Sequence, residues 1–182
     1  MNKIAVFFAT GYEEIEALTV VDLCRRAGII VDMVSVTDKE AVTGSHKISV
    51  AMDKMITDVD FAEYDMLVLP GGMPGTINLE ACEKLMSALD EFYKAGKYIG
   101  AICAAPSVFG HRGYLAGKMA CCYPGFEEEL AGAVVSDNQV EVSGNVITSR
   151  GLGTAIPFAL AIVEHFCGAE KANELAKGII YA

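Results

Sequence analysis

Cys103 is the residue of this sequence best placed to do covalent chemistry. It follows the run Tyr98-Ile99-Gly100-Ala101-Ile102 and precedes Ala104-Ala105-Pro106, so an apolar strand passes directly into a helix with Pro106 suited to its first turn. A thiol at that junction faces unpaired backbone N–H groups and the positive helix end, so its thiolate is favoured and its pKa is expected to fall. The nucleophile elbow of hydrolases uses the same strand-turn-helix logic. The plain alternative is a buried cysteine packed as a small apolar side chain.

Two other segments could serve such a thiol. Leu69-Pro70-Gly71-Gly72 ends an apolar run with two residues lacking side chains, which lets backbone N–H groups approach a bound oxyanion, although a tight turn explains the glycines equally well. Glu13, Glu14 and Glu16 open a helical pattern, where carboxylates suit the helix dipole. Glu16 falls at the edge of the apolar stripe beside Val20, where half-burial would raise its pKa and let it donate a proton. Periodicity does not choose between Glu16 and Glu14.

The remaining reactive side chains attract bland readings. His46, His111 and His165 are scattered, and none adjoins Cys103 in sequence. The other cysteines, Cys24, Cys82, Cys121, Cys122 and Cys167, form no C-x-x-C and no Cys/His cluster at zinc spacing, so neither a metal nor a cofactor is expected. The vicinal pair Cys121-Cys122 reads as packing. Arg150 stays a site candidate because it follows a strand on the same rim as Cys103.

That rim is implied by the elements around it. Apolar runs at Ile4–Phe8, Ile29–Val36, Met66–Leu69, Tyr98–Ile102 and Asn145–Ser149 read as buried strands. Helical patterns span Glu14–Ala27, Ala81–Ala95 and Ala155–Phe166, the last with Pro157 tolerated in its first turn. Small excursions are expected at Val42–Met52 and Val134–Val142. Strands alternating with helices give a mostly parallel sheet covered on both faces, with ligands bound beyond the carboxyl ends of the strands. The segments after the first, third, fourth and fifth strands all fall there.

Composition narrows the function classes. The 182 residues suit one domain, spanning 1–182, with 53% hydrophobic residues and no Trp. A net charge of -10 without a basic run argues against nucleic acid or an anionic membrane as partner. The apolar run after Met1-Asn2-Lys3 is too short for a membrane span or a signal-peptide core, and a cytoplasmic location is expected.

The chain resembles the ThiJ/PfpI superfamily, in the branch of the human parkinsonism-associated protein. The resemblance rests on Gly11-Tyr12-Glu13-Glu14-Ile15-Glu16-Ala17, Arg25-Arg26-Ala27-Gly28-Ile29, Leu67-Val68-Leu69-Pro70-Gly71-Gly72, Ala101-Ile102-Cys103-Ala104-Ala105-Pro106 and Thr148-Ser149-Arg150-Gly151-Leu152-Gly153-Thr154-Ala155. It implies an α/β, flavodoxin-like three-layer sandwich of the class I glutamine amidotransferase-like kind. It also implies a homodimer formed partly near Ile15 and a reactive Cys103. Glu16 matches the family's protonated acid, which hydrogen-bonds the sulfur. Gly72 and Ala104 match positions whose N–H groups line the pocket. Tyr123-Pro124 stands where the human member has His before Pro, and His46 aligns with an Arg that approaches the human pocket.

Three functions follow as expectations. The first is a glutathione-independent glyoxalase or deglycase, in which Cys103 attacks a small 2-oxoaldehyde or its protein adduct, Glu16 shuttles the proton and the N–H groups of Gly72 and Ala104 hold the oxyanion. The second is a redox sensor or redox-controlled chaperone acting through oxidation of Cys103. The third, a cysteine peptidase or amidotransferase-like hydrolase, suffers from having Ala104 where such relatives place a His after the nucleophile.

Overall fold

A computed structural model describes residues 2–181. Among the described residues are eleven strands and six α-helices. The strands are β1 Lys3–Phe8, β2 Ile30–Ser35, β3 Ala41–Thr43, β4 Ser49–Ala51, β5 Lys54–Met55, β6 Met66–Leu69, β7 Tyr98–Ile102, β8 Met119–Ala120, β9 Val134–Val135, β10 Val140–Ser143 and β11 Val146–Ser149. The helices are α1 Glu14–Arg26, α2 Gly75–Glu80, α3 Glu83–Lys94, α4 Pro106–His111, α5 Ala155–Cys167 and α6 Ala169–Gly178.

Seven strands form the central sheet in the order β10-β11-β7-β6-β1-β2-β5. All its pairings are parallel except that of the edge strand β10 with β11. The strand interiors are apolar on both faces because helices cover both. Along β1, Ile4, Val6 and Phe8 face one layer while Ala5 and Phe7 face the other, the period-two alternation of a strand. The first layer packs Val20, Val21 and Cys24 of α1 with Phe158, Ile162 and Val163 of α5. The second packs Leu85, Leu89 and Phe92 of α3 with Val108 and Phe109 of α4. Each fully buried aromatic or branched side chain contributes roughly 1.5–3 kcal/mol. The expected flavodoxin-like sandwich is therefore present.

The five expected main strands are all in place. The excursion at Val42–Met52 is the antiparallel pair β3-β4, with Val42 opposite Val50. Two expectations need correction, and one helix was not foreseen. The helix expected over Ala81–Ala95 begins at Glu83, because α2 ends at Glu80 and the chain turns at Cys82, whose backbone is extended. The segment Val134–Val142 is no local excursion: β9 pairs in parallel with β8, and β10 joins the central sheet. Helix α6 was hidden by its polar sequence; Gly168, at φ 87, separates it from α5.

Strand order reverses between β1 and β6: β2 lies on one side of β1, whereas β6 and β7 lie on the other. Their carboxyl ends diverge into helices on opposite faces and leave a crevice. Among the described residues, no helix is long and apolar enough to cross a membrane.

Candidate active site

Three chain segments meet at that crevice. The loop after β1 leads into α1, whose N-cap is Glu13; its Oε2 accepts the N–H of Glu16 at 2.8 Å. Such a cap stabilises a helix by about 1 kcal/mol, and here it also orients the turn bearing Glu16. The Glu16 side chain points inward, 1% exposed, and its Oε2 accepts the N–H of Gly71 at 2.9 Å.

Gly71 must be glycine. A Cβ there would lie 2.5 Å from Cys103 Cβ and 2.7 Å from Glu16 Oε2. The absent side chain is what lets the carboxyl and the thiol face one another. Gly72 adopts φ 91, and its N–H is directed at the Cys103 sulfur.

Cys103 itself has φ 66, the left-handed region. For a side-chain-bearing residue this costs on the order of 1–3 kcal/mol and persists only when the surroundings impose it. The imposing contacts are the Cys103 N–H donated to Ser149 O at 3.0 Å and the Tyr123 N–H donated to Cys103 O at 2.8 Å. They clamp the residue between the end of β11 and the loop after β8. The half-buried sulfur meets Glu16 and the N–H groups of Gly72 and Ala104. With Pro106 opening α4, the expected elbow is formed.

The expectation of a lowered thiol pKa fails for Cys103 while Glu16 is charged. Burial, and then the Glu16 carboxylate, pushes the thiol up to about 12, outweighing the two backbone N–H groups. Glu16 is raised in turn to about 7, chiefly by burial and secondarily by Glu13, against the hydrogen bonds from Cys103 and Gly71. The two groups titrate as a pair. The pair gives up its first proton no later than about pH 7 and its second near 12. In between it holds one negative charge, and shifting the remaining proton from sulfur to carboxyl leaves a thiolate facing a neutral Glu16.

The structure separates the glutamates that periodicity left undecided. Glu16 faces Cys103, whereas Glu14 faces the β3-β4 hairpin, where its Oε1 accepts the N–H of His46 at 2.8 Å. Burial pushes Glu14 up, but hydrogen bonds from His46 and the neighbouring backbone outweigh it and the carboxyl lies below its ordinary value. His46 rests on Glu14, with Nδ1 3.0 Å from Oε2. Glu13, Glu14 and His46 are the described residues that could together hold a metal ion.

Tyr123 is 50% exposed at the crevice mouth, with its ring against Gly151. Arg150 turns outward: Nη1 donates to Asp137 O at 3.2 Å and Nη2 lies 3.3 Å from Asp137 Oδ1. Tyr123, Pro124, Arg150 and Leu152 line a shallow cavity of 250 Å³ beside the elbow. Thr154, which no motif reading singled out, shapes that wall: Oγ1 accepts the N–H groups of Arg150 at 3.2 Å and Gly151 at 3.0 Å. Away from the site, His111 bridges Glu80 and Glu129, and His165 stacks on Tyr98.

The DJ-1/PfpI family matches residues 2–165. Protein DJ-1 homolog B of Arabidopsis thaliana is 37% identical over 98% of the chain, which spans only 41% of that relative's length. A Caenorhabditis elegans protein, glutathione-independent glyoxalase DJR-1.2, is 36% identical over 93% of the chain and 91% of its own length. The solved structure of oxidized Toxoplasma gondii DJ-1 superposes with a TM-score of 0.96 at 37% identity, covering 100% of both chains.

The coupled pair predicts a specific pH profile. Alkylation of Cys103 by iodoacetamide, followed by mass spectrometry, rises through an inflection at or below about pH 7 and is then flat up to the alkaline range. In Glu16→Gln that inflection is lost, because the sulfur titrates alone. A wild-type rate climbing steadily to about pH 9, as for an ordinary thiol, contradicts the shared proton, as does an unchanged profile in the variant.

Proposed function

The chain belongs to the DJ-1/PfpI family, and from that premise we propose that it is a cysteine-dependent, glutathione-independent glyoxalase and deglycase. Its substrates are small 2-oxoaldehydes and the adducts they form on proteins. The observation that carries this reading is Glu16, raised to about 7 and hydrogen-bonded to a sulfur on an elbow. A carboxyl of that pKa both gives and takes protons at neutral pH, the requirement for a general acid–base group.

The Cys103 thiolate attacks the aldehyde carbon of methylglyoxal, and the alkoxide takes its proton from Glu16. This gives a hemithioacetal. Glu16, now ionised, takes the carbon-bound proton of the former aldehyde and returns it to the adjacent carbon, while the hydroxyl proton passes to the ketone oxygen. The aldehyde carbon is thereby oxidised to a thioester and the ketone reduced to an alcohol, with no external oxidant. Water cleaves the thioester to lactate and restores the thiol. To the N–H groups of Gly72 and Ala104, which meet the sulfur, we assign the developing oxyanion. On a glycated side chain the thiolate displaces the amine or thiol from the carbinol carbon, breaking the C–N or C–S bond as Glu16 protonates the leaving group, and gives the same hemithioacetal. The glyoxalase name of the nematode relative supports this assignment.

A second reading is redox sensing. Cys103 is half-buried yet surrounded by three hydrogen-bonding groups that suit a sulfinate, and a related solved structure is described as oxidized. The conversion is R–SH + 2 H2O2 → R–SO2H + 2 H2O, with peroxide as oxidant. The hydrolase reading has no histidine positioned as base: His46 is on Glu14, His111 lies between Glu80 and Glu129, and His165 is on Tyr98.

We further assign the chain as a cytoplasmic homodimer, acting as a single unit. Ile15 is 49% exposed on the outer face of α1, where Ile15, Leu18, Leu23, Ile156 and Ile179, with Thr19, Asp22 and Arg26 beside them, line a largely apolar groove of 510 Å³. A second copy covering it would bury this apolar surface.

Wild-type protein is expected to convert methylglyoxal to lactate at near-neutral pH, with Cys103→Ser and Glu16→Gln each lowering kcat/KM by at least roughly a hundredfold, the low end for an acid–base group. Turnover persisting in Cys103→Ser overturns the enzymatic reading. Limiting peroxide is expected to add two oxygens at Cys103 first, read by intact and peptide mass; even oxidation across the cysteines removes the sensor reading. Ile15→Arg is expected to weaken the dimer at least about tenfold in sedimentation, the equivalent of roughly 1.4 kcal/mol. A monomeric wild type refutes the assignment.

A further inference from the structure

The loop between β3 and β4 is docked on the start of α1. Gly11 N–H donates to Thr43 O at 2.9 Å, and Ser45 N–H donates to Tyr12 O at 2.8 Å. Gly44 lies against the Glu14 carboxyl so closely that no Cβ fits. This docking gathers two carboxylates and an imidazole from positions thirty-odd residues apart in the chain.

Each carboxylate commits one oxygen to the backbone and turns the other toward His46. In Glu13, Oε2 accepts the Glu16 N–H and Oε1 lies 3.8 Å from His46 Nδ1. In Glu14, Oε1 accepts the N–H groups of His46 at 2.8 Å and Ile48 at 3.5 Å, while Oε2 lies 3.0 Å from the same Nδ1. Ser45 Oγ completes the group, 3.3 Å from Glu14 Oε2 and 3.1 Å from Nδ1. We propose that Glu13, Glu14 and His46 form a binding site for a divalent transition cation of the zinc class.

The spacing suits such an ion. With metal–ligand bonds of about 2.0–2.2 Å, tetrahedral geometry separates neighbouring ligand atoms by roughly 3.3 Å. The two separations from His46 Nδ1, 3.0 and 3.8 Å, bracket that value, and all three ligand atoms lie within 4.8 Å of one another. Backbone bonds to the second carboxylate oxygens fix ligand orientation in advance, as outer-shell partners do in metal sites. One nitrogen and two oxygens favour Zn2+ over the hard, all-oxygen preference of Mg2+ or Ca2+.

Charge points the same way. The Glu13 and Glu14 side chains are buried, and among the described residues no Lys or Arg pairs with either; the imidazole of His46 is the one basic side chain found against them. Asp32, a less deeply buried carboxylate, has both Lys3 and Lys54. Buried carboxylates are ordinarily paired or bound to metal. An independent feature adds to this: the Tyr12 hydroxyl is wholly buried without a hydrogen-bond partner among the described residues. The site uses neither Cys103 nor its chemistry.

Calorimetric titration of Zn2+ into full-length Cys103→Ser tests the site without the reactive thiol competing. One ion is expected to bind per chain, and adding His46→Ala, at a side chain 70% exposed, is expected to weaken it at least roughly tenfold, with circular dichroism confirming the fold. Co2+ bound at the same site is expected to show visible bands without thiolate charge transfer. Undiminished binding in the His46 variant, a cobalt–thiolate band in place of those bands, or no binding overturns the proposal.

Discussion

The close approach of Glu16 to Cys103 across Gly71 is the contact on which the rest of the site depends. Only a residue without a Cβ allows it, since any side chain at position 71 would occupy the space between the carboxyl and the thiol. Gly71 also donates its N–H to Glu16, so the residue that makes room for the carboxyl holds it in place. The elbow depends on the same approach. The cost of the left-handed Cys103 backbone is offset by β11 and the Tyr123 loop, and the half-buried sulfur meets Glu16 at the crevice.

Burial then sets the protonation behaviour. A half-buried thiol against a nearly buried carboxyl cannot readily carry two negative charges, so the pair retains a proton across the neutral range. The N–H groups of Gly72 and Ala104 stabilise charge on the sulfur but do not alone overcome burial and the Glu16 charge. Thiolate reactivity is therefore a property of the pair. A cysteine on a helix start without the acid would be favoured by the dipole alone.

The first turn of α1 gives three neighbouring glutamates different surroundings. Glu13 caps the helix, Glu14 turns to the docked hairpin and Glu16 turns to the thiol. The outer face of the same helix carries Ile15 and Leu18 into an apolar groove. Substitutions in this turn are consequently expected to couple, because the cap that orients Glu16 also presents an oxygen to His46.

Local sequence determined the elements. Apolar runs of strand length, the Gly28 stop after α1 and Pro106 after Cys103 report physics acting over a few residues, and they marked the main strands, the elbow and the rim. The family motifs added the pairing of Glu16 with Cys103 and the roles of Gly72 and Ala104, which no local pattern supplied. What the tertiary structure decided depends on through-space distances. Periodicity left Glu14 and Glu16 equivalent until the β3-β4 hairpin and Gly71 lay on opposite sides of α1. The thiol's pKa reversed direction because burial and the facing carboxylate come from segments distant in sequence. The side chains of His46 and Arg150, placed near the pocket by alignment or rim position, are held by Glu14 and Asp137. Short-range propensity sets where chain elements begin and end; electrostatics and close packing between distant segments become defined only when the sheet brings them together.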